Sequence, residues 1–261
     1  MLLVASHVSF AYHRGALAID DVSMSIARGS VVGLIGPNGS GKTTLVRLLN
    51  GTLSPSHGSV SLDGVTLSTF SRRDLARRIA VVPQETHVTF DFTALEIVLM
   101  GRFAHLGAFT LEGPEDMAIA HRALASTGTE AFASRQFATL SGGEKQRVVV
   151  AGALAQSSDI LLLDEPTTAL DLGFQFEMAS LLARLNRERG TTMVVSTHDL
   201  NFAAMLCTEL VLMKSGRVLA TGPTKDVLTA SNIRQLYGVE ADVSFHPRAG
   251  HLTVVPLAKT D

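Results

Sequence analysis

The 261-residue chain is predicted to be an α/β protein in which buried parallel strands deliver polar residues to one edge of a sheet. Three observations predict this. The apolar run Val31-Val32-Gly33-Leu34-Ile35 leads into Gly36-Pro37-Asn38-Gly39-Ser40-Gly41-Lys42-Thr43-Thr44, after which Leu45, Leu48 and Leu49 take up helical spacing. The run at 160–163, Ile-Leu-Leu-Leu, ends in Asp164-Glu165, and the run at 192–197 ends in His198. Strand, turn and helix alternate where these polar residues emerge.

The first third also carries strand-like segments at 8–12 and 22–26 and a hairpin-like stretch at 59–64, Ser-Val-Ser-Leu-Asp-Gly, which read as antiparallel strands around the first glycine loop. In that loop the glycines let the backbone curl so that its N–H groups face an anion, and the helix that follows presents the positive end of its dipole. Lys42 adds a point charge for outer phosphates, and the Thr43 hydroxyl is of the type that holds Mg²⁺.

Between 84 and 141 the pattern turns helical. Residues 94–100 and 115–124 read as helices, the second opened by Pro114 and two acids, with Met117, Ala120 and Leu124 on one face. Ser141-Gly142-Gly143-Glu144 then has capping-box spacing ahead of Val148, Val149, Ala151, Gly152 and Leu154. Two glycines in a first helical turn cost about 1 kcal/mol each relative to alanine. Something must approach that backbone closely, and a phosphate is the natural candidate.

The acids after run 160–163 have separable roles. Successive strand residues point to opposite sides, which sends Asp164 toward a metal shell and Glu165 toward an attacking water. His198, at the end of its own buried strand, is expected at the same sheet edge.

Beyond Gly216, segments 210–213 and 218–221 read as strands around a turn, 226–237 as a helix, and 243–256 as a terminal hairpin. His246 and His251 flank the hairpin turn and read as exposed residues and not as metal ligands. Apolar residues make up 46% of the chain, but the longest apolar runs are strand-sized, short of the roughly 20 residues of a membrane helix. The N-terminal residues Met1-Leu2-Leu3-Val4 do not read as a secretory leader. The lone Cys207 has no internal disulfide partner and fits a reducing compartment, and a net charge of −2 gives no support for nucleic-acid binding.

From about Val8 to about Val239 the chain resembles the nucleotide-binding subunits of ABC transporters. Residues 36–43 match the family's Walker A loop, 140–144 (Leu-Ser-Gly-Gly-Glu) its signature, and 160–165 its Walker B strand. Tyr12 sits where the family stacks an aromatic ring on adenine, Gln84 matches the Q-loop, Asp171 the D-loop and His198 the switch histidine. The resemblance implies a P-loop, RecA-like core with an antiparallel β subdomain and a helical subdomain inserted at about 88–157. The domain would span 1–240, with 241–261 as a C-terminal hairpin or tail.

It also implies that ATP and Mg²⁺ are the ligands. Residues 36–44, Tyr12, Ser141, Gly142, Gly143, Glu144 and Asp171 would bind the nucleotide, and Thr43, Gln84 and Asp164 the metal. Glu165, His198, Lys42 and Gln84 would act in hydrolysis. The implied assembly is a head-to-tail homodimer, with each ATP between the phosphate loop of one copy and Ser141 to Glu144 of the other. It would work at the cytoplasmic face of the membrane with two permease subunits, and indirectly with a periplasmic or surface substrate-binding protein. The surface at Gln84 and 85–107 would receive a permease helix.

A soluble ABC protein of DNA maintenance or translation is disfavoured, because no heptad run separates Lys42 from Ser141 and no second cassette is present. The stretch 93–102 and the close at 227–239 resemble ATPases that import iron–siderophore complexes, haem or vitamin B12. That implies a metal chelate as cargo, with iron–siderophore or haem ahead of vitamin B12.

Overall fold

The computed structural model describes residues 1–13, 16–84, 90–107, 110–168 and 171–259. Strands β1 (Leu3–Phe10) and β2 (Ile19–Ile26) precede β3 (Val31–Ile35), α1 (Lys42–Leu49), β4 (His57–Leu62), β5 (Val65–Thr66), α2 (Arg72–Arg78) and β6 (Ile79–Val82). Helices α3 (Ala94–Leu99), α4 (Pro114–Ser126) and α5 (Gly142–Ala155) follow. The chain then alternates through β7 (Ile160–Asp164), α6 (Leu172–Arg189), β8 (Thr192–Thr197), α7 (Leu200–Leu206) and β9 (Glu209–Lys214). It closes with β10 (Arg217–Pro223), α8 (Thr224–Val227), α9 (Ala230–Tyr237), β11 (Val239–His246) and β12 (His251–Lys259).

The six-stranded sheet has the order β10-β9-β3-β8-β7-β6, parallel except for β10 at its edge. Every residue of β3, β7 and β8 is buried, which is why these strands read as continuous apolar runs. Their alternating side chains feed two cores. Ile160, Leu162 and Val194 point to α1 and to the antiparallel sheet β2-β1-β4-β5, where they meet Leu45, Leu48 and Ile26. Leu161, Leu163 and Val195 point the other way, onto Leu182 and Leu185 of α6 and Phe202 of α7. The β4–β5 connection is a two-residue turn with Asp63 at φ 48° and Gly64 at φ 80°, the mirror-image geometry that suits a twisted hairpin.

Helices α3, α4 and α5 enclose a third apolar cluster of their own, including Ala94, Val98, Leu124, Phe137, Val148 and Ala151. Its helices start where local chemistry dictates: a Thr93/Glu96 capping box opens α3, and Pro114 occupies the first turn of α4. Buried Arg102, in the turn after α3, donates to Asp116 of α4 at 2.9 Å and to the Ala155 carbonyl of α5 at 2.7 Å, joining those two helices. This hydrogen bond, with a second from the Gly113 N–H, holds the Asp116 carboxyl below its ordinary range. The cluster is tied to the core by α5, whose Val150 and Ala153 belong to the sheet's core, and by Arg73 and Arg77, which both donate to the Ala104 carbonyl.

The first strand, expected at 8–12, runs over Leu3–Phe10 and leaves Tyr12 outside it, and two later elements also differ from expectation. The helix expected over 226–237 is broken into α8 and α9, because Leu228 and Thr229 leave the helical region. The Thr229 hydroxyl caps α9 by accepting from the Asn232 N–H, and the Asn232 amide donates to the Val227 carbonyl. The terminal hairpin is also longer than 243–256. It begins directly after Gly238, which ends α9 at φ 65°. Among the described residues no helix is long and apolar enough to cross a membrane.

Candidate functional site

The ends of β3, β6, β7 and β8 open onto a cleft of about 430 Å³ lined by Asn38, Gly39, Gly41, Lys42, Thr43, Thr44, Gln84, Glu165, Thr168, His198 and Ala18. At its floor the loop after β3 turns through Gly39 and Gly41, at φ 79° and 102°, values that only glycine adopts at little cost. Helix α1 starts at once, with Gly41 as its N-cap and no side-chain cap. Its first-turn N–H groups are therefore left to whatever the cleft holds.

Lys42 is buried, donating from Nζ to the Gly36 carbonyl at 2.8 Å and the Pro37 carbonyl at 3.3 Å. Its ammonium lies 3.5 Å from Glu165 Oε1. The Thr43 hydroxyl donates to Asp164 Oδ1 at 3.3 Å, and Ser196 donates to the same carboxylate oxygen from the adjacent strand. Register explains the second contact, since Asp164 pairs with Ser196 across β7 and β8.

Strand alternation does not separate the two acids. β7 ends at Asp164, and Glu165 sits outside it in the left-handed region at φ 49°, an uncommon conformation for a residue with a Cβ. The kink is pinned by the Glu165 N–H, which donates to the Ser196 carbonyl at 3.0 Å. Glu165 therefore lines the cleft, and the Asp164 carboxylate meets it through Thr43, which also lines it. Glu165 Oε2 accepts from the Thr168 hydroxyl at 3.0 Å and lies 3.3 Å from His198 Nδ1. The His198 side chain is half exposed. Backbone strain of this kind costs about 1–3 kcal/mol and persists only where neighbours over-determine it.

Tyr12 stands beside this cleft, outside its described lining, with its ring edge-on to Phe10 at 5.0 Å and its hydroxyl 3.2 Å from Thr44 Oγ1. Ser141 to Glu144 lie elsewhere, and none of them lines the cleft among the described residues. They open α5 with a complete capping box: Ser141 Oγ accepts from the Glu144 N–H, and Glu144 Oε2 accepts from the Ser141 N–H at 2.7 Å. The close approach expected at the glycines is made, at Gly143, by protein. A Cβ there would fall 2.2 Å from Cδ1 of Phe174. Phe174 belongs to α6, whose N-cap is Asp171, with Asp171 Oδ1 accepting from the Phe174 N–H at 3.0 Å. Residues 169–170, beside Asp171, lie outside the described residues.

Ser196 and Thr168 escaped the sequence reading although both contact the carboxylates. A fully buried serine within an otherwise apolar strand, two residues before His198, was the available signal for the first. In the hairpin turn, His246 Nδ1 accepts from the Ala249 N–H and His251 Nδ1 lies 2.8 Å from the Leu252 carbonyl, so each ring is engaged locally.

Residues 19–168 match the ABC transporter family. The chain is 42% identical over 243 residues to the cobalamin import ATP-binding protein BtuD of Halobacterium salinarum (strain ATCC 29341 / DSM 671 / R1), covering 93% of this chain but only 61% of that protein's length. It is 39% identical to the ferric enterobactin transport ATP-binding protein FepC of Escherichia coli (strain K12), over 92% of this chain and 89% of that one. It is 42% identical to the hemin import ATP-binding protein HmuV of Rhodococcus jostii (strain RHA1), over 93% and 82%.

Among solved structures, the inward-facing conformation of a putative metal-chelate type ABC transporter superposes with a TM-score of 0.86 at 29% identity, over 98% of this chain and 97% of that one. A dimeric post-hydrolysis ATP-binding cassette bound to ADP and phosphate superposes with a TM-score of 0.75 at 32% identity, over 85% and 99%. The cleft at the strand ends, the separately clustered helices and these relationships lead to one conclusion: the chain belongs to the ABC transporter family and has the fold of its ATP-binding cassettes.

Proposed function

We propose that this chain is the ATP-binding and ATP-hydrolysing subunit of an importer, energising uptake of an iron–siderophore complex or haem through a separate membrane permease. The observation that carries the ATPase reading is the convergence of Lys42, Thr43, Glu165, Gln84 and His198 at one cleft, with Asp164 bonded to Thr43 behind it. The phosphates of ATP would lie along the α1 N-terminus, with Lys42 exchanging its carbonyl partners for phosphate oxygens. Tyr12, whose hydroxyl lies 3.2 Å from Thr44, would stack on the base.

The donor set also fits Mg²⁺. A Thr hydroxyl and an Asp carboxylate 3.3 Å apart, with Gln84 on the same cleft, are the hard oxygen ligands that ion takes. When bound it would neutralise charge on the outer phosphates. Glu165 would orient and polarise the attacking water, and His198, held at Glu165, would reach the terminal phosphate.

Because Ser141 to Glu144 lie outside the cleft, they would serve the nucleotide of a second copy in a head-to-tail dimer, and Asp171 would couple the two sites across the interface. The dimeric cassette among the structural relatives supports that assembly. The permease would dock beside Gln84 on 90–107, where Phe90 and Phe103 are exposed. Residues 85–89 of that surface lie outside the described residues. The protein would then work at the cytoplasmic face of the membrane, with a periplasmic or surface binding protein delivering cargo.

The iron and haem relatives at 39% and 42% identity support the cargo reading, and the cobalamin relative at 42% supports vitamin B12 as the second. The test is ATP turnover of the permease complex, reconstituted in liposomes, with binding proteins loaded in turn with ferric siderophore, haem and cobalamin. Stimulation by either iron chelate supports the proposal. Stimulation by cobalamin alone moves the cargo to vitamin B12, and stimulation only by a sugar or amino acid overturns the chelate reading.

A further inference from the structure

The C-terminal hairpin packs on α7 and α9, and one side chain ties it to α7. Asn201, on α7, donates from Nδ2 to the Val254 carbonyl of β12 at 3.1 Å and accepts at Oδ1 from the Val254 N–H at 2.8 Å. Both main-chain groups of a buried β12 residue are thus satisfied by a single amide. Asn201 is equally bound to the segment that leaves β8. Asp199, the N-cap of α7, accepts from the Asn201 N–H at 2.9 Å and the Phe202 N–H at 3.0 Å.

A second tie reaches the same place from α9. Tyr237, its last residue, donates from its hydroxyl to the main-chain carbonyl of His198 at 3.4 Å. Burial, then the nearby carboxylates of Glu165 and Asp199, push the Tyr237 phenol above its ordinary range, so it stays a donor. One contact therefore falls on the His198 carbonyl and the other, from the Asn201 N–H, on the side chain of the next residue, Asp199. The His198 side chain is 54% exposed, so packing does little to fix it, and its position depends on the main chain that carries it.

We propose that the C-terminal hairpin is a positioning element for hydrolysis, in which Tyr237, through the His198 carbonyl, and Asn201, through Asp199 beside it, hold the His198 imidazole against Glu165. The inference rests on the reading of Glu165 and His198 as hydrolytic residues. A purely structural role is the competing account, since Ala241 and Val254 of the hairpin also belong to the core cluster with Leu236.

Tyr237→Phe separates the two accounts, because it keeps the ring and removes only the hydroxyl. Asn201→Asp keeps the acceptor for the Val254 N–H but turns an oxygen toward the Val254 carbonyl. In the full chain, Tyr237→Phe is expected to lower kcat about three- to tenfold and Asn201→Asp about tenfold or more, with KM for ATP within about twofold. The Tyr237→Phe melting temperature should stay within about 2 °C of the parent. In histidine-labelled protein the imidazole resonance assigned by its loss in His198→Ala should shift in both variants, while that of His105 does not.

If Tyr237→Phe and Asn201→Asp turn over normally while His198→Ala is inactive, the positioning inference falls and the reading of the cleft stands. If kcat, KM and melting temperature all fall together with the His198 resonance unmoved, the hairpin is structural and the inference falls. If His198→Ala itself turns over normally, the hydrolytic reading of His198 is what has failed.

Discussion

The two glycine-rich segments that each open a helix are built in opposite ways. At 36–41 two left-handed glycines carry the chain into α1 with no side-chain cap, so the helix start is held open by backbone geometry. At 141–144 the helix start is closed on itself, since Ser141 and Glu144 satisfy each other's N–H groups, and Gly143 is required by the ring of Phe174. The first segment is a receptor for an anion before any anion arrives. The second is a capped helix that, in the proposed dimer, would share its serine with a nucleotide held by another copy. The glycines of the two segments therefore have distinct local causes: left-handed backbone at Gly39 and Gly41, and the ring of Phe174 at Gly143.

Substitutions in the cleft should act on chemistry and binding, and those at the signature on stability and assembly. The largest effect is expected from Glu165→Gln, which should lower ATP turnover about 100- to 10,000-fold with ATP affinity retained. Steady-state kinetics beside calorimetric binding would check it, and near-normal turnover would remove Glu165 from the mechanism. Lys42→Ala should weaken ATP binding about 100-fold, the scale of a charged hydrogen-bonded contact, and the same titration measures it.

At the other segment, Gly143→Ala should destabilise the fold by about 1–3 kcal/mol in urea unfolding, through overlap with Phe174. Phe174→Ala in the same chain should recover part of that loss. Ser141→Ala should cost about 1 kcal/mol of stability and slow turnover, while leaving the nucleotide affinity of the single chain unchanged.

The smallest effect is the pH dependence of this cap. Hydrogen bonds from the Ser141 main chain and side chain, with a lesser contribution from Arg135, hold the Glu144 carboxyl below its ordinary 4.5. Its contribution to stability is full above that value and is lost as pH falls through the lowered one. Glu144→Gln should flatten the fall in urea midpoint on acidification relative to the parent protein.

Much of this was legible in the sequence because the signals were local. Runs 31–35, 160–163 and 192–197 are buried on both faces and needed no partner to be recognised as strands. The capping residues Thr93 and Ser141 act within one turn. What stayed hidden depends on distant neighbours. The left-handed turn at Glu165 is enforced by Ser196 of the next strand, and Gly143 by Phe174, which lies on another helix. The ties from Tyr237 and Asn201 join segments that sequence spacing cannot bring together. The break between α8 and α9 was readable in principle. Thr229 followed by Asn232 carries the polar side chains that end one helix and cap the next, but the apolar spacing of 226–237 masked it.

In the proposed assembly one chain holds the nucleotide and a second chain closes the site. This assembly is tested most directly by the mass of the Glu165→Gln protein on size exclusion with light scattering, with and without ATP and Mg²⁺. A monomer is expected without nucleotide and a dimer with it, and no dimer when Ser141→Arg is added. A Glu165→Gln chain that elutes as a monomer while carrying bound ATP would contradict it.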